Sequence, residues 1–222
     1  MHLEEALSSK MDIKAFIFDM DGLLFNSERI VQRSWEMAGD ELGIPHMGDV
    51  IYHTLGMNRT GRNEYFRKYI REDFPFEEFG RLTRDNFWKI VDKEGLPLKK
   101  GVKELLAYGK AQGYKMAVAT SSSREYAMGN LIRAGIDSYF DSVVCGDMVK
   151  KAKPDPEIYQ KACESLGIQP EYCMAFEDAP GGILSAHQAG MHVIMVPDLV
   201  QPTQEIRELT YRVCDSLADV IG

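Results

Sequence analysis

Short apolar runs of strand length punctuate the chain. Ile13 to Phe18 is apolar apart from Lys14, and similar runs recur at Met116 to Ala119, Val143 to Cys145, Cys173 to Phe176 and Val193 to Val196. A continuous run of bulky residues, as opposed to an alternating one, predicts a strand covered on both faces. Five such strands are expected. Helix-length segments lie between the later ones, and each stops at a glycine: Val102 to Gln112 before Gly113, Glu125 to Ala134 before Gly135, Pro156 to Leu166 before Gly167, and Ile183 to Ala189 before Gly190. A glycine just past a helix takes the left-handed cap conformation without a Cβ clash, and the chain can then turn into the next strand. The repeated order of helix, glycine and strand predicts an α/β fold, a doubly wound, Rossmann-like parallel sheet with helices on both faces.

The pattern breaks between Asn26 and Pro97, where helical periodicity runs on without a convincing strand and aromatics accumulate: Trp35, Tyr65, Phe66, Tyr69, Phe87 and Trp88. This reads as a helical insertion after the first strand, with Gly22 and the Gly95 to Gly101 segment, which contains Pro97, as its hinges. Residues 1–25 and 98–222 are expected to form the α/β core, and residues 26–97 a separate helical domain. Tyr65, Phe66, Tyr69 and Trp88 are expected to pack its helices together.

Composition narrows the functional classes. At 222 residues with 45% hydrophobic and 27% charged content, the chain is ordinary for a soluble globular protein and excludes disorder or a fibrous array. No apolar run approaches the roughly 18 residues of a spanning helix, so no membrane is expected as a partner. The net charge of −8 repels phosphate polymers, which argues against nucleic acid. The helical insert is nearly balanced, with 11 basic and 13 acidic residues, so most of the acidic excess lies in the α/β part. A small phosphorylated metabolite remains compatible with that charge, because a few focused cations or a metal ion can outweigh it locally. Cys145, Cys163, Cys173 and Cys214 show neither CxxC spacing nor a companion His, so buried free thiols are expected in a reducing, cytoplasmic setting. Met1 to Lys10 is polar and acidic, without the basic-then-apolar order of a secretory signal.

In open parallel sheets ligands bind beyond the carboxyl ends of the strands. Here those ends carry Asp19-Met20-Asp21, Thr120-Ser121 and Glu177-Asp178, with Lys153 in the loop after the Cys145 strand. Carboxylates gathered at one edge repel one another unless a cation or a shared proton compensates. Hard carboxylate oxygens suit Mg²⁺, which usually takes one or two of them together with substrate phosphate. Lys153 and the Thr120 hydroxyl would then hold an anion opposite the metal. A single Asp-x-Asp is also a common turn or helix cap, so it is the combination that carries the argument.

Four segments in this order resemble the haloacid dehalogenase superfamily, and within it the β-phosphoglucomutase-like phosphatases with a helical cap inserted after the first strand. They are Phe16-Ile17-Phe18-Asp19-Met20-Asp21-Gly22, Met116-Ala117-Val118-Ala119-Thr120-Ser121, Lys153-Pro154-Asp155-Pro156 and Phe176-Glu177-Asp178-Ala179-Pro180-Gly181-Gly182. The resemblance implies a Mg²⁺-dependent phosphatase in which Asp19 is the nucleophile that becomes an aspartyl-phosphate. Asp21 would be the general acid and base. A carboxylate oxygen of Asp19, the main-chain carbonyl of Asp21 and Asp178 would ligate Mg²⁺, with Glu177 beside them. Thr120, the Ser121 backbone N–H and Lys153 would neutralise the phosphoryl oxygens. The substrate class it suggests is a sugar or polyol phosphate.

The presence of Asp21 separates relatives, because expelling halide needs no proton donor whereas an alkoxide must be protonated. In the insert, Leu55-Gly56-Met57-Asn58-Arg59 resembles a cap segment whose arginine grips a second phosphate in sugar-phosphate mutases, so Arg59 is a candidate substrate ligand; a solvated helix-end arginine is the plainer alternative. Those mutases carry a His where Val31 stands here, and Val31 has no side-chain hydrogen bond to offer. Phosphatase is therefore the leading expectation. A β-phosphoglucomutase-like mutase and a non-catalytic phosphometabolite-binding protein are the alternatives.

Overall fold

The computed structural model describes residues 11–54 and 59–221, with the side chains of residues 59 and 60 left aside. In chain order the elements are β1 (Ala15–Phe18), α1 (Glu28–Glu41), α2 (Met47–Thr54), α3 (Arg59–Tyr69), α4 (Phe76–Glu94), α5 (Val102–Ala111), β2 (Lys115–Thr120), α6 (Arg124–Arg133), β3 (Ser142–Cys145), α7 (Glu157–Leu166), β4 (Cys173–Glu177), α8 (Pro180–Gln188), β5 (His192–Met195), α9 (Gln204–Glu208), β6 (Arg212–Val213) and α10 (Ala218–Ile221). The chain divides into two compact units, residues 1–25 with 97–222, and residues 26–96.

The first unit is a six-stranded parallel sheet in the order β3-β2-β1-β4-β5-β6. Five strands are those the apolar runs predict. The sixth, β6, is two residues long and holds an arginine, too short and too polar to register as an apolar run. Its backbone still extends the ladder, with Ile194 opposite Arg212 and Met195 opposite Val213. The four glycines expected to end helices, Gly113, Gly135, Gly167 and Gly190, all have positive φ between 66 and 89°.

The two faces of β1 differ in bulk, and that difference shapes the site. Phe16 and Phe18 point to one face, where Phe18 stacks on Phe176 of β4 at 4.8 Å between ring centres and Phe16 meets the same ring edge-on at 5.2 Å. On the other face small residues dominate: Ala15, Ala117, Ala119 and Ala175 lie in one buried cluster with Ile17, Ile158 and Tyr159. Short side chains on the strands leave room for a large one on α7, and Tyr159 takes that room without any exposure.

Strand order reverses at the centre of the sheet. From β1 the chain proceeds outward through β2 to β3, then crosses back so that β4 lies on the other side of β1. Loops leaving β1 and β4 therefore diverge, which opens a crevice beyond their carboxyl ends.

The second unit contains α1 to α4 and no strand among its described residues. Buried positions on α4, namely Phe79, Leu82, Phe87, Ile90 and Val91, follow helical spacing. Trp35 of α1 meets Phe66 and Phe79, each at 5.6 Å between ring centres. Phe66 packs in this core as expected, whereas Tyr69 does not: at the last position of α3 it is 60% exposed and lies against Tyr65 at the surface. Val31 packs against the same cluster. All four cysteines are buried free thiols. No described helix is long and apolar enough to cross a membrane.

The Phe176 ring is fully buried between Phe16 and Phe18. Replacing it with alanine should lower stability by about 3–5 kcal/mol through lost transfer energy and the cavity left behind. Chemical denaturation of wild type and Phe176→Ala checks this.

Candidate active site

Asp19 follows β1 directly, Thr120 is the last residue of β2 and Glu177 the last of β4. The parallel register, with Phe18 opposite both Val118 and Phe176, sets these three ends at one edge of the sheet. The Asp19 N–H donates to the Phe176 carbonyl at 3.0 Å, which continues the β1–β4 pairing one step beyond the strand.

Lys153 is the cationic centre of this edge. Its Nζ donates to Asp19 Oδ1 at 2.7 Å, to Glu177 Oε1 at 2.5 Å and to the Ala119 carbonyl at 3.1 Å. An ammonium has three donors, and here each meets an acceptor. The Tyr159 hydroxyl donates to Glu177 Oε1 at 2.5 Å, and the Asp178 N–H donates to Glu177 Oε2 at 3.2 Å. Glu177 is thus held on both oxygens. Gly182 makes room for it: a Cβ there would stand within 2.2 Å of all three atoms of the Glu177 carboxylate group.

Ligand oxygens of Asp19, Glu177 and Asp178 lie within 4.8 Å of one another. Three acidic groups against one ammonium leave an excess of buried negative charge. Burial pushes the Asp19 carboxyl up to about 8, with Lys153 opposing the rise and Glu177 and Asp21 adding to it. The Asp178 carboxyl is raised well above its usual range, first by burial and then by the charges of Asp19 and Glu177. Burial works against the Lys153 ammonium, yet the charges of Asp19 and Glu177 outweigh it and raise its pKa. The donor set is all oxygen and lacks one or two positive charges. That suits a hard divalent cation such as Mg²⁺.

Asp21 stands apart from this cluster. Its Oδ2 accepts from Ser122 Oγ at 2.7 Å and its Oδ1 from the Tyr126 hydroxyl at 3.0 Å. Thr120 is buried, and its Oγ1 accepts from the Ser122 N–H at 3.1 Å, leaving its hydroxyl proton to be donated elsewhere. Ser121 is exposed beside it. Arg59 opens α3, but its side chain lies outside the described residues, as does the segment from Leu55 to Asn58.

Four residues that sequence reasoning passed over complete the surroundings. Ser122 and Tyr126 bind Asp21, Tyr159 binds Glu177, and Asp198 lies beside Asp178. A Cβ on Gly22 would come within 2.3 Å of Asp178 Oδ2 and 3.3 Å of Asp198 Oδ2. Asp198 Oδ1 is paired with Lys99, while its Oδ2 is buried with no hydrogen-bond partner among the described residues. Asp198 sits three residues beyond β5, so the rule of looking past each strand's carboxyl end, applied to that strand, finds it.

The model of the haloacid dehalogenase-like hydrolases matches residues 16–196, a span that begins within β1 and ends just past β5. The chain belongs to the haloacid dehalogenase-like hydrolase family. Among its relatives in that family is the phosphorylated carbohydrates phosphatase of Thermotoga maritima, 32% identical over 82% of this chain and 84% of that protein. Hexitol phosphatase A of Escherichia coli is 31% identical over 84% of each chain. In structure, this haloacid dehalogenase-like chain is similar to the crystallised CbbY of Rhodobacter sphaeroides in complex with phosphate, with a TM-score of 0.78, 27% identity, and coverage of 94% of this chain and 96% of that one.

The loop that carries Lys153 is tied down by Glu157 in the first turn of α7. Its carboxylate accepts from the Lys150 and Lys151 N–H groups at 2.9–3.1 Å and pairs with Lys161 at 3.1 Å. The backbone bonds of Lys150 and Lys151 and the bond from Lys161 hold this carboxyl down to about 2, below its ordinary 4.5. A depressed folded-state pKa contributes stability that is present above the unfolded value and lost as pH falls through the folded one. Glu157→Gln should therefore lower the melting temperature at pH 7, and the gap from wild type should close as the pH falls from about 4.5 towards 2. Thermal unfolding across that range checks the sign.

Proposed function

We propose that this chain is a divalent-cation-dependent phosphatase that hydrolyses a small phosphorylated metabolite, a sugar or polyol phosphate, through an aspartyl-phosphate on Asp19. One observation carries the reading. The two aspartates at the end of β1 are segregated, Asp19 against the Lys153 ammonium and Asp21 against two hydroxyls. That segregation suits two different tasks.

In the first step a carboxylate oxygen of Asp19 attacks phosphorus. The bond from phosphorus to the ester oxygen breaks, its electron pair stays on that oxygen, and the oxygen takes the proton carried by Asp21. In the second step water attacks phosphorus, gives its proton to the Asp21 carboxylate, and the bond to Asp19 breaks to release inorganic phosphate. The Thr120 hydroxyl and the Ser121 N–H would donate to the phosphoryl oxygens and the Lys153 ammonium would act on them through its charge, which lowers the barrier most where negative charge gathers. Asp19, Asp178 and the Asp21 main-chain carbonyl would hold Mg²⁺, with Glu177 alongside. Bound there, such an ion would supply the positive charge this acidic edge lacks and Lewis acidity toward a phosphate ester.

The names of the Thermotoga maritima and Escherichia coli relatives support phosphorylated carbohydrates and hexitols as the substrate class. The helical unit is the cap domain in this reading, with Arg59 as its candidate contact to substrate. Val31 favours hydrolysis over a mutase outcome: it is apolar and packs within the helical unit's own cluster, so it cannot serve the hydrogen-bonding role that the mutase resemblance assigns to a His there.

A screen of phosphorylated sugars and polyols with Mg²⁺ should release inorganic phosphate without isomerising the sugar phosphate. Asp19→Asn should lower turnover at least about a thousandfold. Chelation should stop turnover, and added Mg²⁺ should restore it. Equal turnover by Asp19→Asn would overturn the covalent route, and isomerisation in place of phosphate release would favour the mutase.

A further inference from the structure

We propose that Tyr126 is a positioning residue for Asp21, clamping its carboxyl group together with Ser122 in the orientation from which it protonates the leaving group. The inference rests on the reading of Asp21 as general acid and base. Tyr126 lies in the first turn of α6, outside all four segments that carry the family resemblance. Its hydroxyl reaches Asp21 Oδ1 at 3.0 Å while Ser122 Oγ reaches Oδ2 at 2.7 Å, so both oxygens are engaged and the plane of the group is set.

The clamp is itself anchored. The Ser122 carbonyl accepts from the Gly146 N–H at 2.8 Å, and a Cβ on Gly146 would lie 2.1 Å from the Ser121 carbonyl oxygen, so the end of β3 presses on the backbone of this turn. Ser123 caps α6 by accepting from the Tyr126 N–H at 3.4 Å, and Asp147 accepts from the Arg124 N–H at 3.0 Å. Tyr126 and Ser122 are thus carried on one short, doubly pinned segment.

The chemistry of the partners also fits. A group that passes a proton out and takes one back must keep its contacts as both acid and carboxylate. An ammonium can only donate, whereas a hydroxyl donates to a carboxylate and accepts from a carboxylic acid. Lys153 therefore suits Asp19, and hydroxyls suit Asp21.

The test is the dependence of kcat/KM on the leaving group. This parameter covers the steps through departure of the alcohol, the stage at which Asp21 gives its proton. Nitrophenolate departs with little need of that proton, and phenolate needs it more. With Mg²⁺ present, the ratio of kcat/KM for p-nitrophenyl phosphate to that for phenyl phosphate should rise about tenfold in Tyr126→Phe relative to wild type, a fraction of the hundredfold or more that a general acid supplies. Ser122→Ala should move the ratio in the same direction, and it carries the test if Tyr126→Phe proves unstable on heating. A ratio unchanged in both variants, whether or not the individual rates fall, would overturn the inference and leave Tyr126 a packing residue. Absence of turnover in wild type, or equal turnover in Asp19→Asn, would instead sink the phosphatase reading beneath it.

Discussion

A single buried ammonium among acidic groups governs this edge of the sheet. The Lys153, Asp19 and Glu177 side chains expose 11% or less of their surface, so none can rely on water to screen its charge. Removing one partner from such a group leaves an uncompensated charge, which typically costs about 3–5 kcal/mol. With Asp178 added, one ammonium faces three carboxyl groups, and the balance closes only with a proton or a further cation. Stability and chemistry are therefore in tension here, as is usual where charge is gathered for catalysis.

The packing behind the site makes that gathering feasible. Small residues on one face of β1, β2 and β4 admit Tyr159, whose hydroxyl donates to Glu177, while stacked aromatic rings fill the opposite face. Because β1 and β4 are neighbours with their connections running in opposite directions, the loops that carry Asp19 and Asp178 part above the sheet. Strand ends hold Asp19 and Glu177, the longer connection after β3 brings Lys153 to them, and the short turn after β2 brings Ser122 and Tyr126 to Asp21.

The parallel sheet was legible because each helix, glycine and strand repeats one local signal, and the glycines take the left-handed conformation that signal requires. Asp19, Glu177, Asp178 and Lys153 were legible because strand ends select for residues that face a crevice. Tyr126 and Tyr159 were not, since each is an aromatic in an amphipathic helix and its pattern is that of core packing; only the direction of the hydroxyl distinguishes it. The sixth strand escaped for another reason: two residues at the sheet edge need backbone pairing but no apolar run. Tyr69 misled in the opposite sense, an aromatic at helical spacing that ends its helix in the open.

Phe25, which closes a parallel bridge to Asp21, also pairs with Leu98 as an antiparallel bridge. Residues opposed in this way lie about 4.5–5.5 Å apart. Entry to the helical unit and return from it are thus fastened side by side on the sheet's own scaffold, a junction that a short turn could span. An arrangement of that kind lets the intervening seventy-odd residues be exchanged, lengthened or redesigned as a cassette while the sheet and its strand ends stay where they are.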